Sequence, residues 1–210
     1  MPEALYLTDD RTTDTARVLS CEPSEEGLWV VRLDHTIFHP QGGGQPSDCG
    51  TVADAQVQKV LHSTEGIVHL LDKPVSGEVE LVVDQEVRKL NSRLHSAGHI
   101  VGLVGDRLGW HAIGGNHFPG ESRVIFNPED PSKVVLISSD EYEAEVNRLI
   151  SLNLDRVVKF DSDFRTVTWG DWEAYPCGGT HVTNTSEIGL VKITKIKQKK
   201  DRITVSYSLQ

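Results

Sequence analysis

Between residues 15 and about 84, the chain contains short runs in which apolar and polar residues alternate or β-branched residues cluster. Turn-prone segments rich in proline, glycine and serine separate these runs, a pattern typical of strands joined by short loops. The clearest runs are 28–33, 55–61, 67–71 and 79–83. The first part of the chain is therefore predicted to form a small β-barrel.

Apolar and small residues then recur at steps of three and four, which predicts an amphipathic helix. They are Val87, Leu90, Leu94, Ala97, Val101, Val104 and Leu108. Asp84 is the candidate N-cap of this helix, and the helix is expected to end near Gly109. The spacing predicts that one face of the helix is buried.

A second helix is predicted to start at Ser138, with Glu141 three residues later completing a capping box, and to run to about Leu154. Strand patterns return at 156–160, 166–169, 190–197 and 202–207. The fold class is therefore predicted as α+β. The change from strands to helix near residue 85 predicts two domains, 1–84 and 85–210.

Composition places few further limits on the chain. Hydrophobic residues make up 38% and charged residues 25% of the 210 residues, and no apolar run approaches the roughly 20 residues that a membrane span needs. The first residues lack the basic and apolar regions of a secretory signal, and three cysteines form an odd, sparse set. A cytoplasmic protein without a membrane partner is expected.

Two pairs of residues are candidate metal ligands. His95 and His99 lie four apart on the predicted helix, so both imidazoles project from one side. Cys177 and His181 are also four apart, in a segment whose proline and glycines predict a tight turn. One thiolate and three imidazoles suit zinc in tetrahedral geometry. The four residues predict one mononuclear zinc site.

Each pair alone is more often a set of packing or surface residues than a ligand set. Ser96 stands where the helical motif of a zinc protease has glutamate, which argues against a protease. Gly98, Gly102 and Gly105 share a helix face with His95, and a glycine inside a helix costs roughly 1 kcal/mol relative to alanine. The glycines indicate either a substrate pocket or close backbone packing.

Two further histidines and the charge distribution give less specific indications of function. His111 and His117 are expected in surface or capping roles. The net charge of −10 disfavours a nucleic-acid partner, but positive charge is concentrated near the end of the chain. This cluster predicts either a lysine-protected edge hairpin or a tRNA-binding strip. Its members are Lys192, Lys195, Lys197, Lys199, Lys200 and Arg202.

Several motifs occur together in one order: TIFHPQGGGQPSD at 36–48, HSAGH at 95–99, CGGTH at 177–181 and EIGL at 187–190. On these motifs the chain resembles, over nearly its whole length, the AlaX proteins, free-standing relatives of the editing domain of alanyl-tRNA synthetase. The resemblance implies a small N-terminal β-barrel followed by a zinc-containing synthetase-type editing domain. It also implies hydrolysis of the ester bond in alanine tRNA wrongly charged with serine or glycine.

The resemblance further suggests residues that act on the substrate. Gly43, Gly44 and Gln45 are expected to approach the editing pocket. Thr36 and Thr180 are candidates for recognition of a seryl hydroxyl, although each fits equally a turn residue that bonds its own backbone. Synthetases commonly have threonine where this chain has Gly98, so Gly98 is expected to affect selectivity.

Two other functions remain open from the sequence. One is a non-catalytic module, stabilised by zinc, that binds tRNA or a synthetase. The other is deacylation of a different mischarged tRNA. The sequence does not specify an oligomeric state.

Overall fold

The computed structural model describes residues 3–161, 164–199 and 201–210. Contacts divide the chain into two compact units. The first comprises Met1–Gly42, Pro46–Leu90 and Gly178–Thr180, and the second comprises Gly43–Gln45, Asn91–Cys177 and His181–Gln210. Each unit includes a short segment whose neighbours in the sequence belong to the other unit, so no single position divides the chain. The domain boundary at 84/85 therefore stays a prediction.

The first unit consists mainly of strands. In chain order they are β1 (Glu3–Ala4), β2 (Thr13–Pro23), β3 (Trp29–Leu33), β4 (His35–Thr36), β5 (Gly50–Val52), β6 (Ala55–Ser63), β7 (Gly66–Leu71) and β8 (Glu78–Val83), with a short 3-10 helix at Leu5–Leu7. Six strands pair in the closed order β2-β3-β7-β6-β5-β8, and β8 returns to β2. β1 and β4 form a separate parallel pair.

The closed sheet follows from alternation in the sequence. β7 and β8 bury every second residue, and Leu71, Leu81 and Val83 are almost fully buried inside the ring. Burial of each such side chain contributes roughly 1.5–3 kcal/mol relative to exposure. The alternating pattern therefore supplies the core of the first unit.

Helix α1 (Gln85–Arg107) starts where the sequence predicts. The Asp84 carboxylate accepts hydrogen bonds from the backbone N–H of Glu86 (3.0 Å) and Val87 (3.1 Å), which confirms Asp84 as the N-cap.

The first turns of α1 differ from the predicted apolar stripe. Leu90 is 39% exposed, whereas Arg88 is buried. The Arg88 guanidinium pairs with the Asp48 carboxylate and donates to the carbonyl of Ile37 at 2.7 Å. This ion pair places the Arg88 side of the helix inward, and Leu90 lies at the surface. The prediction that Leu90 is buried is therefore wrong.

The second unit contains the rest of α1, a second helix and two sheets. Its elements are β9 (Trp110–Asn116), β10 (Arg123–Pro128), α2 (Ser139–Ile150), β11 (Arg156–Asp161), β12 (Phe164–Trp169), β13 (Tyr175–Pro176), a 3-10 helix at Thr185–Ile188, β14 (Val191–Lys199) and β15 (Arg202–Leu209). One sheet has the order β14-β15-β10-β9 and another has β11-β12-β13. Strand-rich structure with two α-helices among the described residues agrees with the α+β prediction.

Two features of the second unit depart from the prediction. α2 has the predicted capping box between Ser138 and Glu141, but it ends at Ile150 instead of about Leu154 because the backbone turns at Asn153 (φ +58°). β9 and β10 were not predicted. The sequence of β9, WHAIGGN, lacks regular alternation and contains two glycines, so it carries little strand signal.

Helix α1 is buried on nearly every side between Asn91 and Gly105. The stripe residues Leu94 and Val101 are buried as predicted, but Ile100 and Leu103, which lie outside the stripe, are 1% and 6% exposed. A helix surrounded in this way forms the centre of the second core. Side chains on all its faces are therefore held by packing.

None of the helices in the described residues has the length and apolar character required to cross a membrane.

The glycines of α1 provide a test of the packing. A Cβ added at Gly105 would lie 2.2 Å from a ring carbon of Phe126, whereas one at Gly102 would have its nearest neighbour at an ordinary 3.9 Å. Gly105→Ala is expected to lower the unfolding free energy by roughly 1–3 kcal/mol through overpacking. Gly102→Ala is the matched control and is expected to be neutral or stabilising by up to about 1 kcal/mol. Urea unfolding of both variants measures the difference, and equal stabilities would contradict the packing.

Candidate metal centre

Four potential ligands converge in the second unit. They are His95, His99, Cys177 and His181, and one ligand atom from each lies within 4.8 Å of all the others. Cys177 Sγ is 3.2 Å from His181 Nε2 and 3.5 Å from His95 Nε2. The predicted grouping of the two distant sequence pairs is therefore confirmed.

Local structure brings each pair together. One helical turn separates His95 from His99, and their ring centroids are 5.2 Å apart. Cys177 follows the short strand β13, and its N–H donates to the carbonyl of Arg165 at 3.0 Å. The Arg165 guanidinium donates in turn to the carbonyl of Cys177 at 2.8 Å. The thiol is thus placed by backbone pairing with β12.

Two of the imidazoles are oriented through Nδ1. His95 Nδ1 lies 2.6 Å from Gln45 Oε1, and His181 Nδ1 lies 3.1 Å from Ser96 Oγ. A glutamine oxygen only accepts, so Nδ1 of His95 carries the proton and its Nε2 lone pair points towards Cys177. Metal-binding histidines commonly have such a partner on the other ring nitrogen.

Burial keeps the imidazoles of His99 and His181 neutral. Burial lowers the pKa of His99 to about 3, and the pKa of His181 is lowered well below its usual value by burial and then by the adjacent His95 and His99. A neutral imidazole has a lone pair available for a metal, whereas an imidazolium has none. These two rings are therefore in the state that a metal requires.

The donor set fits a metal ion. His99 Nδ1 is buried and has no hydrogen-bond partner among the described residues, and the His99 ring meets the edges of Trp169 and Tyr175. An unpartnered buried nitrogen on one of the clustered imidazoles is costly unless an additional partner binds it. A thiolate with imidazoles suits zinc or a similar transition metal.

The glycine-rich segment, residues 36–48, contributes Gly43–Gln45 to this unit. Gly44 accepts a hydrogen bond from the N–H of His117 at 2.8 Å and has a φ of +76°. A Cβ at Gly44 would lie 2.4 Å from the carbonyl oxygen of Gly115, so both conformation and space require glycine. Gly43 also has a positive φ (+56°), but nothing lies within 4 Å of a Cβ placed there. Gln45, which follows Gly44 in the chain, thereby reaches His95.

The two threonines have different surroundings. Thr36 is fully buried in the first unit, where its hydroxyl lies 2.8 Å from His69 Nε2 and accepts from the N–H of Phe38 at 3.0 Å. These contacts favour the alternative interpretation, a residue that bonds its own backbone. Thr180 is buried between Cys177 and His181 in the sequence, and its role in recognition stays a prediction.

Gly98 faces another histidine. A Cβ at Gly98 would lie 2.3 Å from Cε1 of His117 and 2.7 Å from the hydroxyl of Tyr207. The helix glycines indicated either a substrate pocket or close packing, and close packing applies at Gly98, as it does at Gly105. His111 is exposed, as predicted.

The prediction of a surface or capping role for His117 is wrong. His117 is 6% exposed and stacks on His95, with centroids 4.5 Å apart and planes inclined by 18°. Ser96, which holds His181, was also not predicted as a site residue. Neither residue has a sequence signal for this role, since both contacts depend on tertiary packing.

The positive residues lie mainly on one face of the β14–β15 hairpin. Register shifts between Ile193 and Lys195, so β14 contains one extra residue there. After this bulge the paired residues, which share a face, are Lys195 with Ser206, Lys197 with Thr204 and Lys199 with Arg202. Lys195, Lys197, Lys199 and Arg202 are exposed.

The other two members of the positive cluster differ. Lys192 forms an ion pair with Glu143 at 3.1 Å, so its charge is partly compensated. Lys200 lies outside the described residues.

The contact between Gln45 and His95 predicts an effect on metal binding. Gln45→Leu removes the acceptor of the His95 proton at similar volume, and metal affinity is expected to fall by roughly 10–100-fold. Competition with a chromogenic chelator for Zn²⁺ measures this change. Gln41→Leu, at an exposed position of the same segment, is the control. Equal affinities of the two folded variants would rule out the proposed orientation.

Comparisons with known proteins agree with this arrangement. Residues 164–204 match a family model described as the threonyl and alanyl tRNA synthetase second additional domain. The alanyl-tRNA editing protein AlaX-L of Pyrococcus horikoshii is 29% identical over 95% of this chain, which spans 55% of that protein. Both matches include residues of the candidate centre.

Two AlaX-M proteins match across most of their length. The alanyl-tRNA editing protein AlaX-M of Pyrococcus horikoshii is 32% identical over 79% of this chain and 80% of that protein. The AlaX-M protein of Methanosarcina barkeri is 30% identical over 95% of both. The chain therefore belongs to the AlaX family of alanyl-tRNA editing proteins.

Proposed function

We propose that this chain is a trans-editing hydrolase that removes serine, and also glycine, from mischarged alanine tRNA. The observation that carries the proposal is the cluster of His95, His99, Cys177 and His181, with Gln45 of the glycine-rich segment bonded to His95. The relatives named alanyl-tRNA editing proteins support the substrate class.

Zinc is the metal proposed for this cluster, because one thiolate and three imidazoles match its preferred ligands. When bound, zinc stabilises negative charge that develops on the ester carbonyl oxygen during hydrolysis. Gln45 and Ser96 hold two ligand rings in the required orientation. Arg165 holds the backbone of Cys177 on both sides, which keeps the thiol in place.

The reaction requires little more than a positioned ester and a water molecule. Water adds to the ester carbonyl carbon, the bond to the ribose oxygen breaks, and the ribose oxygen recovers a proton. An aminoacyl ester is already activated, so orientation and electrostatic stabilisation account for much of the rate. Buried imidazoles and aromatic walls at His99 limit access of other water to the centre.

Selection of serine and glycine has a physical reason. A synthetase pocket built for alanine does not strongly exclude the smaller glycine, and it rejects one additional hydroxyl only modestly. A second hydrolytic site therefore improves accuracy. Thr180 and the glycine-rich segment are proposed as parts of the chain that contact the aminoacyl group.

Hydrolysis of seryl-tRNA with alanine identity tests the function. Wild-type protein is expected to release serine and spare alanyl-tRNA, and Cys177→Ala is expected to slow release by roughly 100-fold or more. Cys21→Ser changes a cysteine of the first unit and is the control. Glycyl-tRNA in the same assay tests the second substrate.

Absence of hydrolysis by folded, zinc-loaded protein would contradict the deacylase assignment.

The four protein ligands also suit a closed structural zinc site, which favours a tRNA- or synthetase-binding module as the second candidate. Removal of zinc distinguishes them, because a module stabilised by zinc unfolds whereas an enzyme largely keeps its circular-dichroism spectrum.

We also propose that Lys195, Lys197, Lys199 and Arg202 contact tRNA phosphates. They project from one face, and no ion pair involves them among the described residues. The alternative is protection of an edge strand, since β14 lies at the end of its sheet.

Charge reversal separates these two roles. Lys195→Glu with Lys197→Glu is expected to weaken tRNA binding and to reduce the slope of log affinity against log salt by roughly 2, because two phosphate contacts are lost. Lys59→Glu with Lys89→Glu makes the same change in net charge at exposed positions of the first unit. Filter binding across a salt series measures both, and identical slopes would assign the lysines to edge protection.

A further inference from the structure

His117 is a buried polar residue that has no role in the proposed reaction. It follows strand β9 and is 6% exposed. Its imidazole lies nearly parallel to the ring of His95, with a centroid distance of 4.5 Å and an inclination of 18°. The ring thus covers one face of a candidate metal ligand.

Three hydrogen bonds hold His117 and its support in place. His117 Nδ1 lies 2.6 Å from the hydroxyl of Tyr207, and that hydroxyl donates to the carbonyl of Leu94 at 2.9 Å. Since Tyr207 has one hydroxyl proton, His117 Nδ1–H is the donor in the shorter contact. The backbone N–H of His117 donates to Gly44 at 2.8 Å. The imidazole is therefore anchored to β15, and the backbone of His117 is anchored to Gly44.

Two glycines leave the space that this ring occupies. A Cβ at Gly98 would lie 2.3 Å from Cε1 of His117, and one at Gly115 would lie 2.8 Å from the same atom. Gly98 is inside α1, where glycine costs roughly 1 kcal/mol relative to alanine. The close approach of His117 accounts for glycine at this position.

Hydrogen bonding and stacking restrain different motions of His95. The bond from Nδ1 to Gln45 fixes the direction in which the ring edge points, but this bond does not by itself set the plane of the ring. A parallel ring against its face blocks that turn. We propose that His117 is a positioning residue of the metal centre, which holds the His95 ring plane so that Nε2 points towards Cys177.

This inference rests on the proposed metal site and not on the identity of the tRNA substrate. Removal of the stacked ring should therefore change metal binding itself. His117→Ala removes the ring, whereas His117→Phe keeps an aromatic face and removes the bond to Tyr207. Zn²⁺ affinity by chelator competition and the visible absorption of the Co²⁺-substituted protein report ligand geometry independently of hydrolysis.

His117→Ala is expected to weaken Zn²⁺ binding roughly tenfold or more and to alter the Co²⁺ spectrum. His117→Phe is expected to stay within about threefold of wild type and to keep a similar spectrum, because stacking remains. A folded His117→Ala protein with wild-type affinity and spectrum would overturn the inference. So would equal losses in the Ala and Phe variants.

Gly98→Ala gives a second test that leaves His117 unchanged. Its methyl group would displace the imidazole, so Zn²⁺ affinity should fall as in His117→Ala, and the double variant should lose little more. Gly102→Ala on the same helix is the control and should bind as wild type. Equal affinities of Gly98→Ala and Gly102→Ala would overturn the inference. Wild-type protein that binds no metal would remove the metal site and this inference together.

Discussion

The burial of helix α1 is the constraint on which the candidate centre depends. The helix is surrounded between Asn91 and Gly105, and it carries two of the four ligands. Strands approach it closely because Gly98 and Gly105 lack side chains where His117 and Phe126 make contact. Imidazoles on a more exposed helix would be hydrated and mobile. Here packing desolvates His99 and keeps its imidazole neutral.

Desolvation makes the partner of each ring nitrogen important. A buried imidazole with an unsatisfied nitrogen is destabilising, so the surrounding groups select one tautomer and one orientation. Gln45 does this for His95, and Ser96 does it for His181. These contacts join the glycine-rich segment and the helix to a single centre. Gly43 and Gly44 of this segment have positive φ angles, which glycine adopts without strain, and Gly44 also permits the close approach to Gly115.

A bulge in β14 determines which lysine side chains of the hairpin are exposed. Without the bulge between Ile193 and Lys195, strict alternation along β14 would place Lys195 on the face of Ile193, which is buried. The extra residue moves Lys195 and Lys197 to the outer face. A chain with a net charge of −10 thereby presents several cations together, which is the arrangement that phosphate binding requires.

Local sequence chemistry determined much of the fold. Alternation specified four of the eight strands described in the first unit, namely β3, β6, β7 and β8. Asp84 and Ser138 specified the helix starts, and spacings of four residues identified both ligand pairs. These features depend on periodicity and on side chains that bond nearby backbone, so they are legible without a tertiary structure. The order of the motifs carried the family resemblance, and the resemblance added the expected editing activity.

Only the tertiary structure decided which residues support the centre. His117 lies 22 residues from His95 in sequence, and Tyr207 is more distant still, so no periodicity connects them. The burial of Arg88 in place of Leu90 likewise depends on Asp48, 40 residues away. Sequence determined the types of ligand and their local spacing. Long-range packing decided their orientation, because it acts between residues whose separation along the chain carries no regular signal.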